Sequence, residues 1–217
     1  MNEVLYLFDI DGTLLHARGS GRGAFDRVMH EQHGISDASD GIRYGGKTDP
    51  AIVDEIFQAR LGRAPTSAER DAFFDAYIPR LERMLDEQGV VVYDGVVAAL
   101  VYLKSRARLA IATGNIRRGA AAKLAAAELA PWFELGGYGC DSPVRAELVA
   151  KAIERAGSVD EVVVVGDTIH DIAAARACGA TVCAVATGAD PASALGHADA
   201  VFASLLELPA WHAARFG

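Results

Sequence analysis

Asp9 and Asp11 stand two residues apart in FDIDGT (Phe8–Thr13), directly after an apolar run, VLYLF (Val4–Phe8). Two acids, a glycine and a threonine make a poor strand and a poor helix, and a local conflict of that kind tends to mark function. Two more apolar runs end in polar groups: LAIA leads into Thr113 and Asn115, and VVVVG leads into Asp167 and, four residues on, Asp171. If these ends meet, their carboxylates repel, because two unit charges ~4 Å apart cost several kcal/mol at low dielectric. A divalent cation relieves that conflict. Hard oxygen ligands with no convergent His or Cys point to Mg2+ over zinc. Taken singly, the same residues have plainer readings: Asp167 as the cap of a following helix, Asp171 as a solvated first-turn acid.

The elements that must deliver these groups are legible in outline. Val4–Phe8, Arg108–Thr113, Glu161–Gly166 and TVCAV (Thr181–Val185) have strand length and are apolar throughout, as in a parallel sheet covered on both faces. Helical patterns alternate with them from Val90 onward: Val96–Arg106, Ile116–Leu129, Val144–Ala156 and Asp171–Cys178. VVVYDG is expected to start this alternation as a strand, and LGGYG to form a loop. Residues 16–90 read as helices only. One is closed by Gly34, one starts at Pro50 and stops at Gly62, and one is capped at Thr66 or Ser67 with a kink expected at Pro79. RGSGRG (Arg18–Gly23) is expected to be a flexible joint. The fold class is thus α/β: a Rossmann-like parallel sheet core from residues 1–15 and 91–217, with a small all-helical cap domain, residues 16–90, inserted. Ligands of such sheets bind beyond the carboxyl ends of the strands, where the acids fall.

Composition narrows the function. In 217 residues the hydrophobic share is 51% and the net charge −8, a balance that predicts a globular protein and argues against a broad nucleic-acid surface. No apolar run reaches the ~20 residues of a membrane span. The acidic start, MNEVLYLFDIDG, predicts no export signal. Cys140, Cys178 and Cys183 form no C-x-x-C pair, which suits a reducing, cytoplasmic compartment.

FDIDGT, TGN (Thr113–Asn115) and VVVVGDTIHD (Val162–Asp171) together resemble motifs one, two and four of the haloacid dehalogenase superfamily, in order and in spacing, across nearly the whole chain. Residues 16–90 resemble its helical type 1 cap. Haloalkanoate dehalogenases lack the second acid of motif one, so Asp11 implies a phosphatase or phosphomutase. The resemblance implies Asp9 as nucleophile and Asp11 as general acid and base. It implies Mg2+ held by the Asp9 carboxylate, the Asp11 carbonyl and Asp167, with Asp171 ligating or just behind the ligands. Thr113, Gly114 and Asn115 would hold phosphoryl oxygens or orient Asp9. The family's motif-three lysine is missing from DSPVRAELVAKAIERAG (Asp141–Gly157), where Arg145 stands near its place. Arg145 is therefore the expected phosphate-binding cation, ahead of Lys151 and then Lys123.

GIRYGGKT (Gly41–Thr48) satisfies the phosphate-cradling pattern G-x-x-x-x-G-K-[ST] in full. A working P-loop follows a buried strand, and the polar stretch before Gly41 is not one. The segment reads instead as a cap loop whose Lys47 and Thr48 reach the substrate. The expected activity is hydrolysis of a small phosphorylated metabolite, phosphoglycolate-like or a sugar phosphate, through an aspartyl-phosphate. A β-phosphoglucomutase-like phosphomutase is the alternative within the family. A P-loop NTPase, a phospho-receiver module and a catalytically silent binding protein are the alternatives outside it. Monomer and homodimer are both open.

Overall fold

All five residues of Val4–Phe8 are buried, a load that only a strand with both faces covered can carry. The computed structural model describes residues 3–217, and this run is its first strand, β1. Residues 1 and 2, which open the expected core segment, lie outside the described residues. After β1 the chain makes a two-residue strand, β2 (Leu15–His16), and three helices, α1 (Ser20–His33), α2 (Asp49–Leu61) and α3 (Ser67–Gln88). It returns through β3 (Val91–Val92) and α4 (Val96–Leu103). The alternation β4 (Arg108–Thr113), α5 (Arg117–Ala126), β5 (Gly136–Tyr138), α6 (Arg145–Ala156), β6 (Glu161–Gly166), α7 (Ile169–Ala177), β7 (Thr181–Val185), β8 (Ala200–Phe202) and α8 (Leu208–Phe216) completes it.

Six strands form one parallel sheet in the order β5-β4-β1-β6-β7-β8. β1 is central, with Leu7 beside Ala110 on one side and Val164 on the other. Its side chains alternate between the faces, as the period of a strand requires. Tyr6 and Phe8 join one buried cluster with Phe25, Phe73 and Leu100; Leu5 and Leu7 join the other with Val149, Val164 and Ile172. Truncating a ring as deep as Phe8 costs ~3–5 kcal/mol, because nothing refills a fully buried site. Thus the α/β reading holds, and β4, β1 and β6, the strands that lead into TGN and the two acidic motifs, are immediate neighbours.

Helix ends follow local chemistry. Thr48 caps α2 by accepting from Ala51 N, and Gly62 closes it at φ 70°. Thr66 and Glu69 form a reciprocal capping box at the start of α3. α3 runs through Pro79 as one helix.

Three expectations fail. VVVYDG supplies no strand of the main sheet: Val91 and Val92 pair antiparallel with His16 and Leu15. RGSGRG is only half a joint, since α1 starts at Ser20 and takes Gly21 and Gly23 into its first turns. LGGYG is not a loop but the edge strand β5. Its glycines hid it, and they are there for space: a Cβ on Gly137 would lie 1.9 Å from Leu148 O of α6. Strand β8 and helix α8 are further elements of the core, and the three residues of β8 are too few to show a periodicity in sequence. Among the described residues no helix is long and apolar enough to cross a membrane, and all three cysteines are free.

Candidate active site

Asp9 continues the β1 ladder by donating its N–H to Val165 O at 2.9 Å, so its carboxyl emerges at the carboxyl edge of the sheet. Asp167 follows β6, the neighbouring strand, and Asp171 lies in the first turn of α7. Oxygen atoms from Asp9, Asp167 and Asp171 all fall within 4.8 Å of one another. All three acids are buried, Asp9 at 7% exposure and the other two at 2%. Burial pushes the Asp9 and Asp167 carboxyls well above the usual range, and the neighbouring carboxylates add to it. Such a trio is unstable as bare anions and fits a divalent cation with oxygen ligands.

Backbone without side chains makes room for the trio. A Cβ on Gly12 would lie 2.4 Å from Asp167 Oδ2, and one on Gly188 only 1.8 Å from it. Asp167 accepts from Thr13 Oγ1 at 3.2 Å and from Ala189 N at 2.7 Å, which fixes both its oxygens. Asp171 is equally committed. Its Oδ2 accepts from Thr168 N and Oγ1 in a capping box, and its Oδ1 from Arg145 Nε and Nη2. The first turn of α6 carries Arg145, whose side chain is 11% exposed and reaches Asp9 Oδ2 at 3.0 Å. Burial works against its charge, but Asp171 and Asp9 outweigh that and hold the guanidinium protonated.

Beside this trio, Asp11 faces a cavity of about 610 Å³ that Asp9, Asp11, Thr113, Asn115 and Arg145 line together, a volume typical of small-molecule sites. Asp11 Oδ2 accepts from Asn115 Nδ2 at 2.8 Å and from Lys123 Nζ at 2.6 Å. The Lys123 ammonium also donates to Asn115 Oδ1 at 2.7 Å, and Asn115 Nδ2 to Thr113 Oγ1 at 2.9 Å. Motif two therefore forms a relay of contacts that orients Asp11.

The loop before α2 borders the same cavity. Gly45, Gly46, Lys47 and Asp49 line it. Asp49 N donates to Gly114 O at 2.8 Å and Asp49 Oδ2 accepts from Ile116 N at 2.8 Å. A Cβ on Gly114 would lie 2.2 Å from Lys47 O. Arg43 pairs with Asp190 at 2.5 Å, another link between this loop and the core. Burial raises the Asp49 carboxyl to about 6, with Lys123 and the Ile116 N–H pulling it down and Asp11 pushing it up.

The site residues expected from sequence thus sort themselves. Asp9, Asp11, Asp167, Asp171, Thr113, Gly114, Asn115 and Arg145 gather at one sheet edge, and Lys47 is at the cavity wall with its ammonium paired to Glu55. Thr48 is not at the wall: its hydroxyl caps α2 and the residue is buried. Lys151 lies away on the exposed face of α6, paired with Glu154. Lys123, ranked below it, is the one at the site. Its signal was hidden inside an alanine-rich helix, where a lone lysine reads as a solvated residue. Asp49 was missed because an acid in a helix's first turn usually serves only the dipole. Gly41–Thr48 does not follow a strand, since residues 34–40 are turn and coil, so the nucleotide-cradle reading loses its scaffold.

A family model described as haloacid dehalogenase-like hydrolase matches residues 5–179. Among curated proteins, the chain is 30% identical to a phosphoglycolate phosphatase of Caulobacter vibrioides, over 96% of this chain and 90% of the relative. It is 31% identical to a phosphoglycolate phosphatase of Rhodospirillum rubrum, over 94% of this chain and 89% of the relative. Among solved structures, CbbY from Rhodobacter sphaeroides in complex with phosphate superposes with a TM-score of 0.76 at 19% identity, each chain covered to 96%. That last likeness bears on the fold; the family match and the full-length relatives bear on descent, and they agree with the motif acids gathered at one sheet edge. The chain belongs to the haloacid dehalogenase-like hydrolase family.

Proposed function

We propose that this hydrolase is a Mg2+-dependent phosphatase that acts on a small phosphorylated metabolite through an aspartyl-phosphate on Asp9, with residues 16–90 serving as its cap. One observation carries the reading: three carboxylates, one after β1 and two after β6, have oxygens within 4.8 Å of one another, against a buried guanidinium. The curated relatives, both phosphoglycolate phosphatases, support the reaction class.

In this reading Asp9, Asp167 and the Asp11 carbonyl would hold Mg2+, while Asp171 orients Arg145. When bound, the ion neutralises the carboxylates and draws charge from the phosphoryl oxygens. Asp9 attacks phosphorus, and the bond to the ester oxygen breaks. Asp11 serves as the general acid that delivers a proton to the leaving alkoxide. A water then attacks the same phosphorus, Asp11 takes its proton back, and the bond to Asp9 breaks. Arg145 and Thr113 stabilise the phosphoryl oxygens as charge builds, and closure of the loop 43–49 over the cavity excludes bulk water. The Lys123 and Asn115 contacts keep Asp11 aimed at the leaving group.

The test is phosphate release from p-nitrophenyl phosphate, with and without Mg2+. Turnover should require the ion and vanish in Asp9→Asn, whose fold is checked by circular dichroism. Undiminished turnover in that variant excludes Asp9 as the nucleophile. Release of inorganic phosphate without a bisphosphate activator separates the phosphatase from a phosphomutase.

A further inference from the structure

Away from Asp9 and Asp11, two buried residues of the cavity wall each carry a polar side-chain atom with no hydrogen-bond partner among the described residues. Tyr77, on α3, is 1% exposed, lines the cavity, and has its ring clamped edge-on by Phe25 with centroids 4.6 Å apart. Its hydroxyl makes no hydrogen bond among the described residues, whereas buried polar groups are normally paired with protein, water or a ligand. Asp49 spends Oδ2 on Ile116 N, and its Oδ1 has no partner. Two glycines leave the space between these groups open. A Cβ on Gly21 would touch Lys123 Nζ and Tyr77 Oη at 3.7 Å each, and one on Gly119 would touch Tyr77 Cε1 at 3.5 Å and Asp49 Oδ2 at 3.7 Å.

The cations of the same cavity are already engaged. Lys123 donates to Asp11 and Asn115, and Lys47 pairs with Glu55. Arg22 donates to Ser39 O and Ile42 O and lies over the Tyr44 ring. The buried part of the wall away from Asp9 thus offers a ligand the Asp49 carboxylate and the Tyr77 hydroxyl, while the half-buried Tyr93 and the exposed His16 also line the cavity. A ligand hydroxyl satisfies both, donating to Asp49 and accepting from Tyr77. A ligand carboxylate satisfies neither well, because it brings a second negative charge against a buried one.

We propose that Asp49 and Tyr77 form a hydroxyl-recognising subsite for the leaving group, so that the preferred substrate is the phosphate ester of a neutral polyol or sugar instead of a phosphorylated carboxylic acid. This rests on the phosphatase reading and departs from the substrate in the names of the curated relatives.

The test compares glycerol 3-phosphate with 3-phosphoglycerate, which differ only in a CH2OH against a carboxylate, and adds ethanolamine phosphate as a cationic leaving group. The wild-type kcat/KM should favour glycerol 3-phosphate over both by about tenfold or more. Asp49→Asn should shrink the preference over 3-phosphoglycerate to within about threefold, since it removes the repelling charge. Tyr77→Phe, which keeps the ring and its packing, should lower kcat/KM for glycerol 3-phosphate more than for 3-phosphoglycerate. A merely structural defect would scale all three esters together. Equal or better use of 3-phosphoglycerate or ethanolamine phosphate overturns the subsite, as does a ratio unmoved in both variants. If p-nitrophenyl phosphate is hydrolysed while the preference is reversed, only the subsite falls. If no ester releases phosphate, the phosphatase reading falls with it.

Discussion

Arg145 is the residue on which the charge balance of the site turns. It faces Asp9 and Asp171 at once from a nearly buried position, and removing one member of a buried ionic cluster strands the rest. Arg145→Ala should therefore cost ~3–5 kcal/mol of stability, read as a lowered midpoint in urea, together with a steep loss of kcat/KM. Arg145→Lys should recover part of both, because it restores the charge but not the forked contact with Asp171. The acids carry a pH signature of their own. Asp9 and Asp167 are raised in the folded protein, so the unfolded chain gives up their protons first. The metal-free protein should then lose stability as pH climbs from about 4, where unfolded aspartates ionise, through the raised native values, and stay low above them. Added Mg2+ should raise Tm more at pH 8 than at pH 5, as differential scanning calorimetry can read. A Tm gain that is the same at both pH values removes the cation from the carboxylate trio. At this scale the sequence was readable where side chain and strand end coincide, as for Asp9, Asp11, Thr113 and Asp167. It was opaque for Lys123 and Asp49, whose roles depend on which face of a helix meets another segment.

The turns after β1, β6 and β7 act as one element, because the glycines of two of them make space for the acid of the third. Gly12 has φ +85° and its missing Cβ leaves room for Asp167, so both conformation and contact select glycine there. Gly188 has the contact alone: a methyl group would sit 1.8 Å from Asp167 Oδ2. Gly188→Ala is expected to fold, to displace the carboxylate, and to raise the Mg2+ concentration needed for half-maximal activity by about tenfold or more. An unchanged Mg2+ titration shows that Asp167 is not a ligand. Helix ends of the insertion were legible because Thr66, Gly34 and Gly62 state them locally. Edge strands were not. β5 is written in glycines chosen for the closeness of α6, and a pattern of that kind has no β signal to read.

Across the whole molecule, the loop 43–49 belongs in sequence to the helical insertion and in contacts to the sheet. It meets motif two at Gly114 and Ile116 and the β7 turn at Asp190. Phosphate with Mg2+ should slow amide hydrogen exchange across Gly45–Asp49, and Arg43→Ala should blunt that protection and raise KM. Protection confined to the strand ends of the core would detach the loop from ligand binding. The insertion itself enters and leaves by β2 and β3, where Leu15 stands opposite Val92 and His16 opposite Val91. Its entry and exit are thus one cross-strand step apart, ~5 Å, which a two-residue hairpin can bridge. If residues 16–90 serve as the cap proposed above, their covalent entry and exit at this pair of rungs would let a segment of unrelated length replace them without lengthening any connection in the six-stranded floor.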